Sequence, residues 1–294
     1  MLPFLVGIQV FAQTASVASP EEAVVLFFDL TQQGEMTYHV SYEGEQVLLS
    51  SHLGFESREG HNLKDGFHIV ETTYHKIDEI WQQPWGQNKT IRNRYNEMAV
   101  NLENQDGTKL TLRFRVFDDG FGFRYEYDVP VADSLLLTDE LTTFRLAEDG
   151  TCWSIVANYE SYEFLYRTMP ISKLDNASTP MTFKTQTGVY GSIHEAALIN
   201  FPEMALYPTS RAREFKATLA PWPDGIKARF KGGKFTTPWR TCQLAQDAVG
   251  LINSSLILNL NEPCKITGDL SWIRPMKYVG VWWGMHLGIN TWKM

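Results

Sequence analysis

The sequence has few cysteines, no long apolar run and fewer basic than acidic residues. Among its 294 residues are only three cysteines, too few and too scattered for a disulfide framework or a zinc site: Cys152, Cys242 and Cys264. We therefore expect buried free thiols and at most one disulfide. Lys and Arg number 26 against 34 Asp and Glu, giving a formal net charge of -8. Because binding to a phosphate backbone relies on a basic surface, nucleic acid is excluded as an expected partner.

Several familiar motifs are also missing. The sequence contains no glycine-rich phosphate loop, no HExxH and no nucleophile elbow, and so does not support nucleotide-binding, zinc-protease or serine-hydrolase functions. It has no internal repeat or low-complexity tract, and its composition of 44% hydrophobic and 20% charged residues is that of a globular chain. Disorder is therefore not expected.

The N-terminus carries a short apolar segment. Residues 2–11 are uncharged and apolar and lead to Ala12, as do the hydrophobic core and small-residue cleavage site of a secretory signal, although a basic start is missing. The run is too short for a bilayer, which takes about 20 apolar residues. We predict that residues 1–12 are signal-peptide-like, that the protein is exported to the periplasm, and that it has no stable membrane span.

Alternation of apolar and polar residues is clearest over residues 93–127. Turn residues at 104–107 (NQDG) and 118–120 (DDG) separate three alternating runs, which predicts an antiparallel β-meander. One face of these strands is predicted to be core: Met98, Val100, Leu102, Leu110, Leu112, Phe114, Val116, Phe121, Phe123, Tyr125 and Tyr127. The opposite face carries Arg113, Arg115, Arg124 and Glu126. Cross-strand charge pairs are possible there, but a solvated surface is the favoured interpretation.

The rest of the chain to about residue 245 also shows strand and turn patterns. Residues 215–219 and 226–230 are predicted to form a hairpin around the turn at 221–225. The pattern then changes from strand to helix. Asp247 can cap a helix that carries apolar residues as far as Leu260. A continuous apolar run at 278–283 is typical of a strand covered on both faces.

Several stretches, taken in this order and spacing, resemble glycoside hydrolase family 97, which contains α-glucosidases and α-galactosidases. They are WG at 85–86, IRNRYNE at 91–97, FDDGFGFRYE at 117–126, IHEAAL at 193–198, TPWR at 237–240, LNLNEPC at 258–264 and KYVGVWW at 277–283. The resemblance implies a mainly β fold. It predicts a galactose-mutarotase-like β-super-sandwich at residues 13–245, a helical linker at 246–277, and the first strand of a truncated (β/α)8 barrel at 278–294.

The resemblance also implies a function and site residues. The complete protein is expected to hydrolyse α-linked glucosides or galactosides, so its substrate partner is an α-linked oligosaccharide. The catalytic groups would lie in the missing part of the barrel, with none in this chain, because such groups sit at the ends of many barrel strands. Trp282 is expected to contact substrate, and Glu163, in the tyrosine-rich loop at 159–166, to bind Ca²⁺, with Glu160 as a less favoured ligand.

Two other interpretations remain at this stage. The pair His194 and Glu195 could be an acid and base couple, but a packing role is favoured. The whole chain could be a stand-alone carbohydrate-binding module of the mutarotase-like type without hydrolase activity. The apolar run at 278–283 argues against that alternative, since a lone strand leaves its edges unpaired in water.

Overall fold

The computed structural model describes residues 13–58, 60–83, 86–280 and 283–288. The chain divides into two compact units, Met1–Glu262 and Pro263–Met294. Among the described residues, no helix has the length and apolar character that crossing a membrane requires.

The first unit is built almost entirely from β-strands. In chain order they are β1 (Thr14–Ala18), β2 (Val24–Leu30), β3 (Met36–Tyr42), β4 (Glu45–His52), β5 (Phe55–Arg58), β6 (Phe67–Gln82), β7 (Thr90–Asn104), β8 (Lys109–Phe117), β9 (Gly120–Glu140), β10 (Thr143–Leu146), β11 (Gly150–Ser154), β12 (Arg167–Pro170), β13 (Ala177–Ser178), β14 (Met181–Thr185), β15 (Tyr190–Ala196), β16 (Met204–Pro208), β17 (Glu214–Leu219), β18 (Ala228–Thr236) and β19 (Trp239–Ala245). A 3-10 helix, Ile171–Lys173, and two short α-helices, α1 (Ala248–Asn253) and α2 (Leu256–Asn259), complete this unit.

The strands form two sheets that pack face to face. One sheet has 8 strands in the order β1-β2-β3-β4-β10-β17-β16-β13. The other has 11 strands, with the path β12-β11-β14-β15-β19-β9-β8-β7-β6 and with β5 and β18 also paired to β9. The pairings between these strands are antiparallel. The mainly β sandwich predicted from the sequence is thereby confirmed.

The core lies between the two sheets and is rich in aromatic rings. Phe28 on β2 contacts Phe114 on β8 with ring centroids 5.9 Å apart, and Tyr38 on β3 contacts Phe123 on β9 at 5.0 Å. The predicted meander is formed by β7, β8 and β9, and its alternating apolar residues are buried in this core. Period-2 alternation therefore identified the correct face.

The predicted hairpin at 215–230 is wrong. A local turn does form, since the Trp222 N–H donates to the Ile226 carbonyl at 2.7 Å. However, β17 pairs with β10 and β16 in the 8-stranded sheet, whereas β18 pairs with β9 in the other sheet. The turn chemistry reverses the chain but does not decide which sheet the next strand joins.

The predicted single helix after residue 247 is two helices. Asp247 does cap α1, with its carboxylate accepting from the Gly250 N–H at 2.8 Å. Ser254 then adopts an extended backbone, which ends α1. The Ser254 hydroxyl accepts from the Leu256 N–H at 3.3 Å, at the first residue of α2. Leu256 and Leu260 are buried, whereas Val249 and Ile252 on α1 are exposed.

The second unit contains little regular structure in its described residues. Tyr278–Gly280, where the sequence predicts the start of a barrel strand, form no strand, and Trp283–His286 form a helical turn, α3. Val281 and Trp282 lie outside the described residues. An extended segment becomes a β-strand only through a hydrogen-bonded neighbour, and the described residues of this unit supply none.

The cysteine prediction holds at two of three positions. Cys152 and Cys242 are buried free thiols, but Cys264, in the second unit, is exposed. Burial raises the pKa of the Cys152 thiol to about 11, which keeps it protonated and unreactive at neutral pH.

Candidate functional site

The tyrosine-rich loop joins β11 to β12 and is anchored to the sandwich by two phenol groups. The Tyr159 hydroxyl donates to the Thr218 carbonyl at 3.2 Å, and the Tyr162 hydroxyl donates to the Thr179 carbonyl at 2.5 Å. Burial raises the pKa of Tyr159 to about 12, so that phenol remains a donor at neutral pH. The anchors hold the loop on the surface in a defined place.

Glu163 lies on the outside of this loop. Its backbone N–H donates to the Ser161 hydroxyl at 3.4 Å, and its side chain is exposed, as is that of Glu160. Asn158 accepts from the backbone N–H groups of Glu160 and Ser161 at 2.8 and 3.2 Å, which fixes the turn before Glu163. The carboxylate of Glu163 is thus on the exposed surface of the loop.

The fit of this loop to calcium is partial. Carboxylate oxygens suit Ca²⁺, but the ion takes about 6–8 oxygen ligands. In the described part of the chain, no group of three or more His, Cys, Asp and Glu side chains could hold a metal ion. A calcium site that uses Glu163 needs further ligands from elsewhere, and the assignment stays a prediction. The predicted substrate contact, Trp282, lies outside the described residues.

A small cavity lies beneath the loop, between Tyr162 and β15. Its volume is about 190 Å³, and its lining includes Tyr162, Thr179, His194, Glu195 and Glu203. The Nδ1 atom of His194 is buried and has no hydrogen-bond partner among the described residues. Burial lowers the pKa of His194, which favours the neutral imidazole.

Glu195 is held in a buried ion-pair cluster with Arg240 and Glu140. Arg240 donates from Nη1 to Glu195 at 2.5 Å, and from Nε and Nη2 to Glu140 at 2.9 and 2.6 Å. The second Glu195 oxygen accepts from the Met204 N–H at 3.1 Å. Both oxygens of Glu195 are thus engaged inside the sandwich, an arrangement that agrees with the packing role favoured from the sequence.

Arg240 and Glu140 were not predicted from the sequence as partners of Glu195. One signal was present, because Arg240 is on the same face of β19 as Cys242 and Leu244, which are core residues. A charged residue in register with core positions predicts a buried ion pair. The partners themselves lie 45 and 100 residues away in sequence, so no local pattern names them.

The outer face of β7, β8 and β9 is a partly covered ion-pair network, and the solvated surface expected from the sequence is wrong. Arg113 bridges Glu97 and Glu126 at 2.6 and 2.8 Å, and Arg124 also contacts Glu126 at 2.9 Å. The side chains of Glu97 and Glu126 are only 8% exposed. Burial raises the pKa of Glu126, but Arg113 and Arg124 outweigh it and bring that pKa down to about 2.

Residues from distant parts of the chain cover this face. The guanidinium groups of Arg115 and Arg124 lie 4.8 and 4.5 Å from the ring centroid of Trp239, which is fully buried. Leu260, which directly follows α2, packs with Trp239 in a second apolar cluster. A Cβ at Gly122 would stand 2.6 Å from the Leu260 Cδ1 atom, so the glycine permits this close approach.

A large two-sheet sandwich with short helices laid on its outer face defines the class of this protein. Residues 17–263 match the glycosyl-hydrolase 97 N-terminal family, and the chain belongs to that family. The resemblance drawn from the sequence motifs is confirmed.

The chain is similar to several longer enzymes. A glycoside hydrolase family 97 enzyme from Pseudoalteromonas sp. strain K8, solved in complex with panose and with acarbose, has 39% sequence identity, a TM-score of 0.86 and 95% coverage of this chain. A retaining α-galactosidase from Bacteroides thetaiotaomicron is 23% identical over 90% of this chain. A β-arabinopyranosidase of 23% identity shares the fold, with a TM-score of 0.79. The chain spans 42% of the Pseudoalteromonas enzyme and 43% of the galactosidase.

Proposed function

We propose that this chain is the N-terminal portion of an exported glycoside hydrolase that acts on α-linked glucosides or galactosides. The observation that carries the proposal is the 39% identity over 95% of this chain to a family 97 enzyme solved with panose and acarbose. In this proposal the sandwich supports a catalytic barrel built from sequence beyond these residues. The signal-like segment at 1–12 directs the protein to the periplasm.

The structure offers a physical reason for this division of labour. Glu195, a carboxylate beside the cavity under the tyrosine-rich loop, shares the Arg240 guanidinium with Glu140 and is hydrogen-bonded on both oxygens. Glycosidases of the usual type need one carboxylic acid and one carboxylate facing each other across the scissile bond. We assign neither role to Glu195, and in this proposal the acid and its partner belong to the barrel.

The role proposed for Glu163 is to supply one calcium ligand. Its carboxylate is exposed on a loop that two tyrosines anchor, so it can reach a neighbouring domain without loss of the sandwich. A calcium ion there would polarise a leaving group or lower the pKa of a nearby acid. Other oxygen ligands are assigned to the barrel, and this chain alone is expected to bind calcium weakly.

The activity is tested with nitrophenyl α-glucoside and α-galactoside. The protein encoded by the complete reading frame is expected to hydrolyse at least one of them, and the 294-residue chain neither. Absence of hydrolysis by the complete protein on both substrates would reject the proposal and favour a carbohydrate-binding module. Turnover by the chain alone would place the catalytic carboxylates in the sandwich and contradict the division of labour.

The calcium role is tested by isothermal titration of Ca²⁺ into the complete protein. Glu163→Gln removes one anionic ligand and should lower calcium affinity and turnover together. Glu160→Gln, on the same exposed loop, is the matched control and should change both much less. Equal calcium affinity in Glu163→Gln and the parent protein would reject Glu163 as a ligand.

A further inference from the structure

A groove of about 530 Å³ lies on the outer face of the 11-stranded sheet, on the strands between β9 and the β12 edge. The floor is formed by β11, β14, β15 and β19, and α1 forms one wall. Its lining residues are Trp153, Thr182, Tyr190, Ser192, Gln243, Ala248, Leu251 and Ile252. None of these side chains carries a charge.

The floor of the groove is a straight row of four side chains. Trp153 stands opposite Thr182, Thr182 opposite Ser192, and Ser192 opposite Gln243 in the strand register. Directly paired residues of antiparallel strands point to the same face, and neighbouring strands are about 4.8 Å apart. The row is therefore about 14 Å long, with an indole at one end and an amide at the other.

The polar groups of this row are available to a ligand. Within the part of the chain that the structure describes, the side chains of these four residues make no hydrogen bond to the protein: Trp153, Thr182, Ser192 and Gln243. Their polar atoms are also absent from the fully buried atoms that lack a hydrogen-bond partner. Trp153, Thr182 and Gln243 are half-buried and Ser192 is 6% exposed, and together they offer hydroxyl, amide and indole N–H groups in one line along the floor. A ligand rich in hydroxyl groups can pair with them.

The wall above the row is apolar. Leu251 and Ile252 project from α1, and Ile252 is 70% exposed. Asp247 fixes the start of this helix by accepting from the Gly250 N–H at 2.8 Å. At the open end, the Tyr190 ring packs under the Lys184 ammonium, 5.1 Å from the ring centroid. The groove combines an apolar wall and an indole with a polar, uncharged floor.

This combination selects the chemistry of the occupant. The lining residues carry no charge to pair with a phosphate or a carboxylate, and the Lys184 ammonium lies over the Tyr190 ring at the open end and not in the floor. An acyl chain would leave the hydroxyl and amide groups of the floor unpaired. A pyranose has C–H faces that pack on an indole or on aliphatic carbon, and a rim of hydroxyl groups that both donate and accept. Ligand sites are typically apolar surfaces with a few convergent polar groups of this kind.

We propose that this groove is a non-catalytic binding site for a short α-linked oligosaccharide, with Trp153 as the stacking platform and Gln243 at the far end of the polar row. The choice of an α-linked sugar rests on the proposed function. The length of the row favours an oligosaccharide over a single ring. The site would hold substrate on the sandwich.

The experiment is calorimetric and fluorescence titration of the 294-residue chain with maltotriose, raffinose and cellotriose. At least one of the two α-linked sugars is expected to bind saturably and to change tryptophan emission, whereas the β-linked cellotriose binds more weakly. Trp153→Ala should weaken binding about tenfold, because the indole contributes a stacking surface worth ~1.4 kcal/mol. Trp153→Phe should retain most of the affinity, and Gln243→Ala should reduce it.

Trp222→Ala is the matched control, because Trp222 is 58% exposed on the turn between β17 and β18 and should leave affinity unchanged. Unfolding midpoints of all variants verify that each is folded. If Trp153→Ala does not fold, Gln243→Ala tests the groove in its place. No saturable binding of maltotriose or raffinose, unchanged affinity in both groove variants, or cellotriose binding as tightly would each overturn the proposal. Turnover of nitrophenyl glycosides by the complete protein tests the proposed function separately, so the two can fail independently.

Discussion

Replacement of Arg240 by methionine tests the buried ion-pair cluster of Arg240, Glu140 and Glu195. Arg240 and Glu140 are 0% exposed and Glu195 is 5% exposed, and the guanidinium contacts the two carboxylates at 2.6 and 2.5 Å. Arg240→Met keeps most of the side-chain volume but leaves two buried carboxylates without a counter-charge. The variant should be much less stable than the parent at neutral pH.

The magnitude follows from the burial. Removal of one partner from a buried ion pair costs about 3–5 kcal/mol, because a buried charge is left uncompensated. Two carboxylates lose their partner here, so the cost should lie at or above the upper end of this range. Such a loss is large against a total stability of about 5–15 kcal/mol for a folded domain.

The stability lost in Arg240→Met should depend on pH, because the pKa of Glu195 depends on Arg240. Burial already raises the pKa of Glu195 above its ordinary value of 4.5, with Arg240 opposing the shift. Without Arg240 the folded-state pKa rises further above the unfolded value. A carboxyl group with a raised folded-state pKa favours the folded state when it is protonated, so stability lost at pH 7 should return as the pH falls towards 4.5.

The assay is urea unfolding of both proteins at pH 7 and at pH 5. The unfolding free energy of Arg240→Met should be more than about 3 kcal/mol below that of the parent at pH 7, and this difference should be smaller at pH 5. The triple variant Arg240→Met, Glu140→Gln, Glu195→Gln removes the charges together and should be more stable than Arg240→Met alone. A difference below about 1 kcal/mol at pH 7, or one that does not depend on pH, would refute the reasoning.

Two further predictions concern the β9 strand. Phe123→Ala should destabilise the fold by about 3–5 kcal/mol, because Phe123 is fully buried. The control Val131→Ala, at a side chain that is 93% exposed, should change stability by less than about 0.5 kcal/mol. An unchanged thermal midpoint for Phe123→Ala would contradict the assigned face. Glu126→Gln removes a carboxylate whose pKa is about 2 in the folded protein against an ordinary value of 4.5. The parent should therefore lose about 3 kcal/mol more than this variant as the pH falls from 4.5 towards 2, and parallel urea-unfolding profiles over that window would argue against the network.

The sequence alone determined the strands and the buried face of the central meander. Alternation at residues such as Leu112, Phe114 and Phe123 is a local signal, because successive side chains of a strand point to opposite sides. The Asp247 cap was found in the same way, since a capping residue acts within one helical turn. The ordered motifs also identified the family, which the match over residues 17–263 confirms.

The candidate site was only partly accessible from sequence. The sequence singled out the tyrosine-rich loop and Glu163 as a candidate calcium site, which stays a prediction. Nothing local showed that Tyr159 and Tyr162 anchor the loop to Thr218 and Thr179. The sugar-binding groove was not predicted at all. Its row combines residues from four strands that lie between positions 153 and 243, and only the sheet order places them side by side.

Tertiary structure decided what covers each face and which sheet each strand joins. The arginines of β8 and β9 alternate as a solvated face would, yet Trp239 and Leu260 cover that face from more than 110 residues away in sequence. Likewise, the turn at 221–225 formed as predicted, but β17 and β18 separated into different sheets. Alternation and turn chemistry act over a few residues, whereas coverage and sheet membership depend on the packing of the whole chain.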